Sequence, residues 1–335
     1  PEVVSLAGGM PDVSALDNDA IRSAFDSLMS SRPQYALQYG GGQGDLRLRE
    51  QIREIMELDG VHGSVEDLMI TTGSQHALEL ISDLFLDQGD VVLVESPSYV
   101  GAVGIFRHKE AHIEHVHTDH DGLSPEALKE TVERLEAEGR RIKLLYVVPN
   151  FANPSGVTLS EDRRQRVLQI CRDHGILIVE DNPYGLLYFE DRPPKALRAF
   201  DADGVVYLGS FSKILSPGLR VGYVLAPPAI REKLVLANES AILSPATFAQ
   251  MLVSEYLATC DWQKQVADYR DLYRSKRDAA LDAVRQYLPS LHTTEPGGGF
   301  FLWLTLPEGL NSKEMLPLAV TELVAYTPGT AFFGD

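Results

Sequence analysis

Apolar and polar positions along the chain fall into two alternating patterns between about residues 65 and 245. Short runs, "LMITTG" (68–73), "VVLVES" (91–96), "LLYVVP" (144–149), "ILIVED" (176–181) and "VVYLGS" (205–210), are rich in Val, Ile and Leu without strict alternation. Continuous runs of that length fit strands buried on both faces, as in a parallel sheet. Helical spacing separates them. "SQHALELISDLF" (74–85) places Ala77, Leu78, Ile81, Leu84 and Phe85 on one face. "SPEALKETVERLEAE" opens with Ser124 and has Pro125 in its first turn, a good helix start. "SEDRRQRVLQICRDHG" opens with Ser160 and ends at Gly175, where a C-cap is expected.

Strand alternating with helix predicts an α/β fold: a mainly parallel sheet with helices on both faces. From about residue 246 the pattern changes. The stretch from "AQMLVSEYL" to "DAVRQYL" is helical throughout, and "GGGFFLWLTLP" and "VAYTPGT" then read as strands. The expected organisation is an N-terminal segment (1–35), able to pack with the C-terminal unit, a large domain (36–245) and a smaller α+β domain (246–335).

Composition narrows the function classes. The 335 residues are 44 % hydrophobic, enough for a sizeable core. A formal charge of −18 argues against a nucleic-acid partner, since phosphate backbones are bound by positive faces. No apolar run reaches membrane-spanning length and no signal peptide is visible. The two cysteines, Cys171 and Cys260, do not suggest a disulfide framework and are expected in the core. The expected location is cytoplasmic. The start at Pro1 and the stop at Asp335 read as trimmed ends. Five of nine histidines (His108, His112, His115, His117 and His120) crowd one segment, read as an exposed strand and turn with no metal.

Ligands of such sheets bind outside the carboxyl ends of the strands. Five segments fall there: Gly73-Ser74-Gln75, Ser96 to Tyr99, Pro149 to Gly156, Asp181 to Tyr184, and Ser210 to Lys213. Gly73, Ser74 and Gln75 at a helix start would aim N–H groups at an anion. Ser210, Ser212 and Arg220 add hydroxyl donors and a positive fork. Lys213 supplies an amine able to form a Schiff base once its pKa falls. Asp181 could hold a ring nitrogen protonated, Tyr99 could stack on a flat ring, and Asn153 and Tyr184 could donate to a phenolic oxygen. Together these describe a site for pyridoxal 5′-phosphate.

The chain also resembles the fold-type I, pyridoxal-phosphate-dependent aminotransferases of class I/II, nearest the subgroup of 2-aminoadipate and kynurenine aminotransferases. "LAGGMPD", "LQYGGGQGDLRLREQI", "TTGSQHALELI", "ESPSYVGAV", "VVPNFANPSGVTLS", "VEDNPYGLLYF", "GSFSKILSPGLRVGYVLAP", "PGGGFFLWLTLP" and "VAYTPGTAFF" carry the likeness in the family's order. The resemblance implies transamination between an L-amino acid and a 2-oxo acid through a Lys213 Schiff base, with Lys213, Asp181 and Tyr99 as the catalytic residues. Gly73, Ser74, Gln75, Ser210, Ser212 and Arg220 would hold the phosphate, and Asn153 and Tyr184 the phenolic oxygen. Gly9, Asn153 and Tyr39 would face the substrate. Tyr39 would also reach the phosphate of a neighbouring subunit, which implies a homodimer with shared sites.

Two departures stand out. The family's "NxxRLxF"-like segment, whose arginine grips the substrate carboxylate, has no counterpart before Asp335. Gly41 and Gly42 replace the more usual Pro and Thr or Ser. Two other readings share the fold: a different pyridoxal-phosphate reaction at Cα or Cβ (decarboxylase, racemase, lyase or oxidase), and the aminotransferase-like sensor domain of a transcription regulator.

Overall fold

The computed structural model describes residues 2–333; Pro1, Gly334 and Asp335, the ends that read as trimmed, lie outside the described residues. Twelve strands are described: β1 (Val4–Ser5), β2 (Leu68–Thr71), β3 (Val91–Ser96), β4 (His112–Asp119), β5 (Gly122–Leu123), β6 (Ile142–Val147), β7 (Leu177–Asp181), β8 (Val205–Ser210), β9 (Gly222–Leu225), β10 (His292–Thr293), β11 (Leu304–Thr305) and β12 (Val324–Ala325). The helices are α1 (Asn18–Ser31), α2 (Pro33–Ala36), α3 (Leu46–Glu57), α4 (Ser74–Phe85), α5 (Val100–His108), α6 (Pro125–Ala137), α7 (Glu161–Asp173), α8 (Pro228–Ile242), α9 (Thr247–Thr259), α10 (Trp262–Tyr287) and α11 (Ser312–Thr321).

The central sheet has eight strands in the order β2-β9-β8-β7-β6-β3-β4-β5. The pairs β8/β7, β7/β6, β6/β3 and β3/β4 are parallel. All five expected strands are present and almost wholly buried, which is why their sequences are apolar on both faces. β9 runs antiparallel between β2 and β8. Two reversals therefore leave β2 pointing the same way as β8. The carboxyl ends of β2, β3, β6, β7 and β8 share one edge, so the segments that follow them meet.

Local chemistry sets the helix boundaries. Ser124 Oγ accepts from the Ala127 N–H to start α6, and Gly175 takes a φ of +65° just past the end of α7. The single helix expected after residue 246 is two. α9 ends at Thr259, and Asp261 caps α10 by accepting from the Lys264 N–H. The "GGGFFLWLTLP" stretch forms less strand than its apolar content predicts. Leu304–Thr305 pairs with His292–Thr293, and Gly298 makes a single antiparallel bridge with Tyr188, where Gly298 and Gly299 lie close against Phe151.

The N-terminal segment reaches both ends of the chain's packing. β1 pairs with β12, while Ala24 and Leu28 of α1 join a core cluster with Leu48, Leu68 and Tyr207. Met251, Val253 and Tyr256 of α9 belong to that same cluster, so the large core continues past residue 245. Cys171 is buried, but Cys260 is half-buried at the cluster's edge rather than inside it. His112, His115 and His117 lie on β4. Beyond it, Asp119 is held by the Arg163 guanidinium at 2.7 and 2.8 Å. Among the described residues no helix is long and apolar enough to cross a membrane.

Candidate active site

A cavity of about 170 Å³ opens at the shared strand edge. Gly9, Ser74, Gln75, Tyr99, Asn153, Asp181, Tyr184, Ser210, Ser212, Lys213 and Arg220 line it. The sheet edge thus gathers Ser74 to Arg220, spread over 147 positions of sequence, as the strand pattern predicts, and the N-terminal segment adds Gly9. Gly73 lies immediately behind the lining, at the N-cap of α4. Tyr39 does not line the cavity of its own chain and is 78 % exposed.

Three elements build an anion cradle. α4 begins at Ser74 with no side chain capping its first turn, which leaves N–H groups and the positive end of the helix available. Gly73 takes a φ of +78°, and Gly222 of β9 packs so closely that an added Cβ would lie 2.5 Å from the backbone N of Ser74. Only glycines permit that approach. From the end of β8, Ser210 Oγ donates to Ser212 Oγ at 2.9 Å and accepts from the Ser212 N–H at 3.1 Å. Arg220, at a left-handed φ of +52°, turns its guanidinium towards Ser212 Oγ and the Thr72 carbonyl at 3.5 and 3.4 Å.

The Lys213 amine donates to the Gly9 carbonyl at 3.1 Å. Burial, then the neighbouring Arg220 charge, lowers its pKa, while Asp181 opposes the shift. Asp181 is buried at the end of β7. Burial raises its carboxyl to about 6, against the downward pull of a hydrogen bond from Tyr146 and of Lys213. The Tyr146 hydroxyl donates to Asp181 Oδ2 at 2.9 Å, whereas the buried Oδ1 has no partner, and neither has Oδ1 of Asn153. Buried acceptors without donors are expensive, and here two face one cavity.

Tyr99 closes one side. Its hydroxyl donates to Gln75 Oε1 at 3.1 Å, and Gln75 Nε2 donates to the Gly101 carbonyl at 3.2 Å. The Gln75 side chain is thus committed to Tyr99, leaving its backbone N–H for an anion. Gly101 must be glycine, because a Cβ there would meet the Tyr99 ring at 2.5 Å. Tyr184 stands edge-on to Phe300 and Phe301, each at 5.7 Å.

A buried frame behind the cavity joins the loops that carry Asn153, Asp181 and Tyr184. Arg164 of α7 is fully buried. It donates to Asn150 Oδ1 at 2.5 Å and to the carbonyls of Pro149, Leu159, Pro194 and Lys195. Asn150 Nδ2 donates to Asn182 Oδ1 at 2.9 Å, and Asn182 Nδ2 reaches Tyr207 and Asp59. Sequence reasoning placed Asn150, Asn182 and Pro183 at this edge without a role, and missed Arg164 and, in the lining, Tyr146, Gly8, Val148 and Pro217. Tyr146 carried one signal: a hydroxyl inside a run otherwise apolar.

A family model described as "Aminotransferase class I and II" matches residues 1–332. Aromatic-amino-acid aminotransferase 1 of Thermococcus litoralis is 39 % identical, over 99 % of this chain and 80 % of that protein. The 2-aminoadipate transaminase of Thermus thermophilus is 37 % identical, over 100 % of this chain and 83 % of the relative. Among solved structures, a Pyrococcus horikoshii kynurenine aminotransferase superposes with a TM-score of 0.96 at 37 % identity, covering 100 % of this chain and 83 % of that one.

Proposed function

The chain belongs to the class I and II aminotransferases, a pyridoxal-phosphate-dependent family, and on that premise we propose that the cavity at the strand ends is its cofactor and substrate site, with Lys213 as the covalent anchor. The enzyme moves an amino group between an amino acid and a 2-oxo acid. The observation that carries the assignment is the pairing of a lysine of lowered pKa with a buried, half-satisfied aspartate in one cavity beside an anion cradle.

The residues fit the cofactor. The first turn of α4, Ser210, Ser212 and Arg220 would hold its phosphate. Tyr99 would cover the ring, Asn153 and Tyr184 would bind its phenolic oxygen, and the free Oδ1 of Asp181 would hold the proton on its ring nitrogen. When bound, the cofactor supplies a carbonyl for the amino group and a ring that draws charge from Cα. Lys213 Nζ moves the proton at the substrate Cα, and burial, which lowers its pKa, favours the neutral amine that can accept that proton. Asp181 stays ionised above pH 6 opposite a cation, which is the state that role requires. Gly9 and Asn153 would border the substrate, and Tyr39 would complete the site of a partner subunit in a homodimer. The division into an N-terminal segment, a large cofactor-binding unit and a small C-terminal unit belongs to this reading. So does a cytoplasmic location, supported by two unpaired thiols.

The test is spectroscopic. Purified protein should absorb as a lysine-bound cofactor, and the band should shift when an amino acid is added. Lys213→Ala should lose turnover by orders of magnitude. A Lys213→Ala enzyme turning over at the parental rate would overturn the assignment.

A further inference from the structure

We propose that Tyr146 is a positioning residue for the cofactor's ring nitrogen: by engaging one carboxylate oxygen of Asp181, it turns the other towards that nitrogen. The proposal rests on the reading of Asp181 given above and extends it to the residue whose hydroxyl donates to that carboxylate.

Tyr146 sits in the middle of the sheet, in register with Val94 of β3 on one side and Val179 of β7 on the other. It is fully buried, and Phe106 of α5 packs edge-on against its ring at 5.8 Å and 70°. Strand and helix therefore fix where the hydroxyl lies. A phenol in an apolar layer is costly without a partner, and this one donates to Oδ2 of Asp181 at 2.9 Å.

The geometry matters because a carboxylate turns easily about its last torsion, which is broad and two-fold. One fixed hydrogen bond selects one rotation. Oδ2 is then committed, and Oδ1 is left buried and without a donor. The Lys213 amine does not fill that place: its hydrogen bond is to the Gly9 carbonyl, and no donor of the described residues reaches Oδ1. A donor from outside the chain is the remaining way to satisfy Oδ1. Burial, followed by the nearby Asp181 charge, holds the Tyr146 phenol protonated well beyond its ordinary range. It thus acts as a donor throughout the working pH range. Tyr146→Phe removes this bond and adds no atom.

The test compares two ligands on the full chain after its cofactor is removed: pyridoxal phosphate, and the analogue in which CH replaces the ring nitrogen. Dissociation constants come from absorbance or fluorescence titration. The parent should prefer pyridoxal phosphate. In Tyr146→Phe that preference should fall roughly tenfold, the scale of one hydrogen bond to a charged group, while affinity for the analogue stays within about twofold. Circular dichroism and the unfolding temperature of the cofactor-free variant confirm that it folds. Asp181→Asn separates the two claims. If Asp181→Asn loses the preference and Tyr146→Phe keeps it, the proposal for Tyr146 fails and the reading of Asp181 stands. If Asp181→Asn keeps it, both fail. An equal loss of affinity for both ligands in Tyr146→Phe would show a general packing role and also overturn the proposal.

Discussion

A methyl group placed on Gly73 would lie 2.3 Å from Nη2 of Arg220. The backbone at the start of α4 and the guanidinium of the β8–β9 connection are pressed together, although the residues are far apart in sequence. The φ of +78° at Gly73, with a ψ of 163°, belongs to a region that essentially only glycine occupies. Both facts bear on the anion cradle.

Gly73→Ala should therefore cost roughly 1–3 kcal/mol of stability from backbone strain alone. It should also push Arg220 away from Ser212 and weaken pyridoxal-phosphate binding tenfold or more. Titration of the cofactor-free variant by absorbance measures the second effect. A variant that folds and binds at parental affinity would show that the cradle is not where the phosphate sits.

Asp181 yields a prediction about stability and pH. Its carboxyl titrates at about 6 in the folded chain against an ordinary 3.8, a displacement worth roughly 3 kcal/mol. Because the folded state holds the proton more tightly, the chain loses stability as pH rises from about 4 through about 6. Cofactor-free Asp181→Asn, which has no charge to bury, should be the more stable protein above pH 6. The gap should close as pH falls towards 4, where both side chains are neutral. Urea unfolding of both proteins at pH 8 and pH 4 measures it. Lys213, which faces Asp181, is common to the two. The same substitution should cut turnover by orders of magnitude, so stability and activity should move in opposite directions. A parent more stable than Asp181→Asn at pH 8 would contradict this account of the site.

Much of this architecture was legible because burial writes itself into composition. Runs such as "VVLVES" and "ILIVED" must satisfy both faces of a covered sheet, and their short length and β-branched content set them apart from buried helix. The placement of chemistry at one edge followed from those strands. β9 was not legible: it is four residues long, begins with a glycine, and its direction is set by β2 and β8 rather than by its own pattern. The break between α9 and α10 was hidden because Cys260 and Asp261 interrupt a helical pattern without a proline or glycine to mark it. Glycines misled in the other direction. In "GGGFFLW", Gly298 makes only a one-residue bridge with Tyr188, close against Phe151, in place of the longer strand that the apolar residues suggested. At the site, residue types were readable and their division of labour was not. Gln75 looks like an anion ligand, yet its side chain holds Tyr99. Tyr146 looks like core, yet its hydroxyl is bound to Asp181.

Tyr39 bears on the assembly. It follows Leu37 and Gln38 in a segment where Tyr35, Leu37 and Tyr39 are 73 %, 70 % and 78 % exposed. Leu236 and Leu243, at 58 % and 57 %, are exposed on and just after α8. Exposed apolar side chains grouped in this way favour a covered surface, and a second copy of the chain is the partner that the shared-site reading supplies. The charge balance of the cradle agrees. A phosphate brings nearly two negative charges; Arg220 returns one and the start of α4 about half. A further donor from outside the chain would help to close that account. Co-expressing Tyr39→Ala subunits with Lys213→Ala subunits tests it. If Tyr39 serves the partner's site, each mixed dimer has one site with both lesions and one with none. Activity should then exceed the mean of the two unmixed variants. If Tyr39 serves its own chain, both sites of the mixed dimer are damaged and activity should equal that mean. Equality, or full activity in a protein that sediments as a monomer at assay concentration, would exclude shared sites.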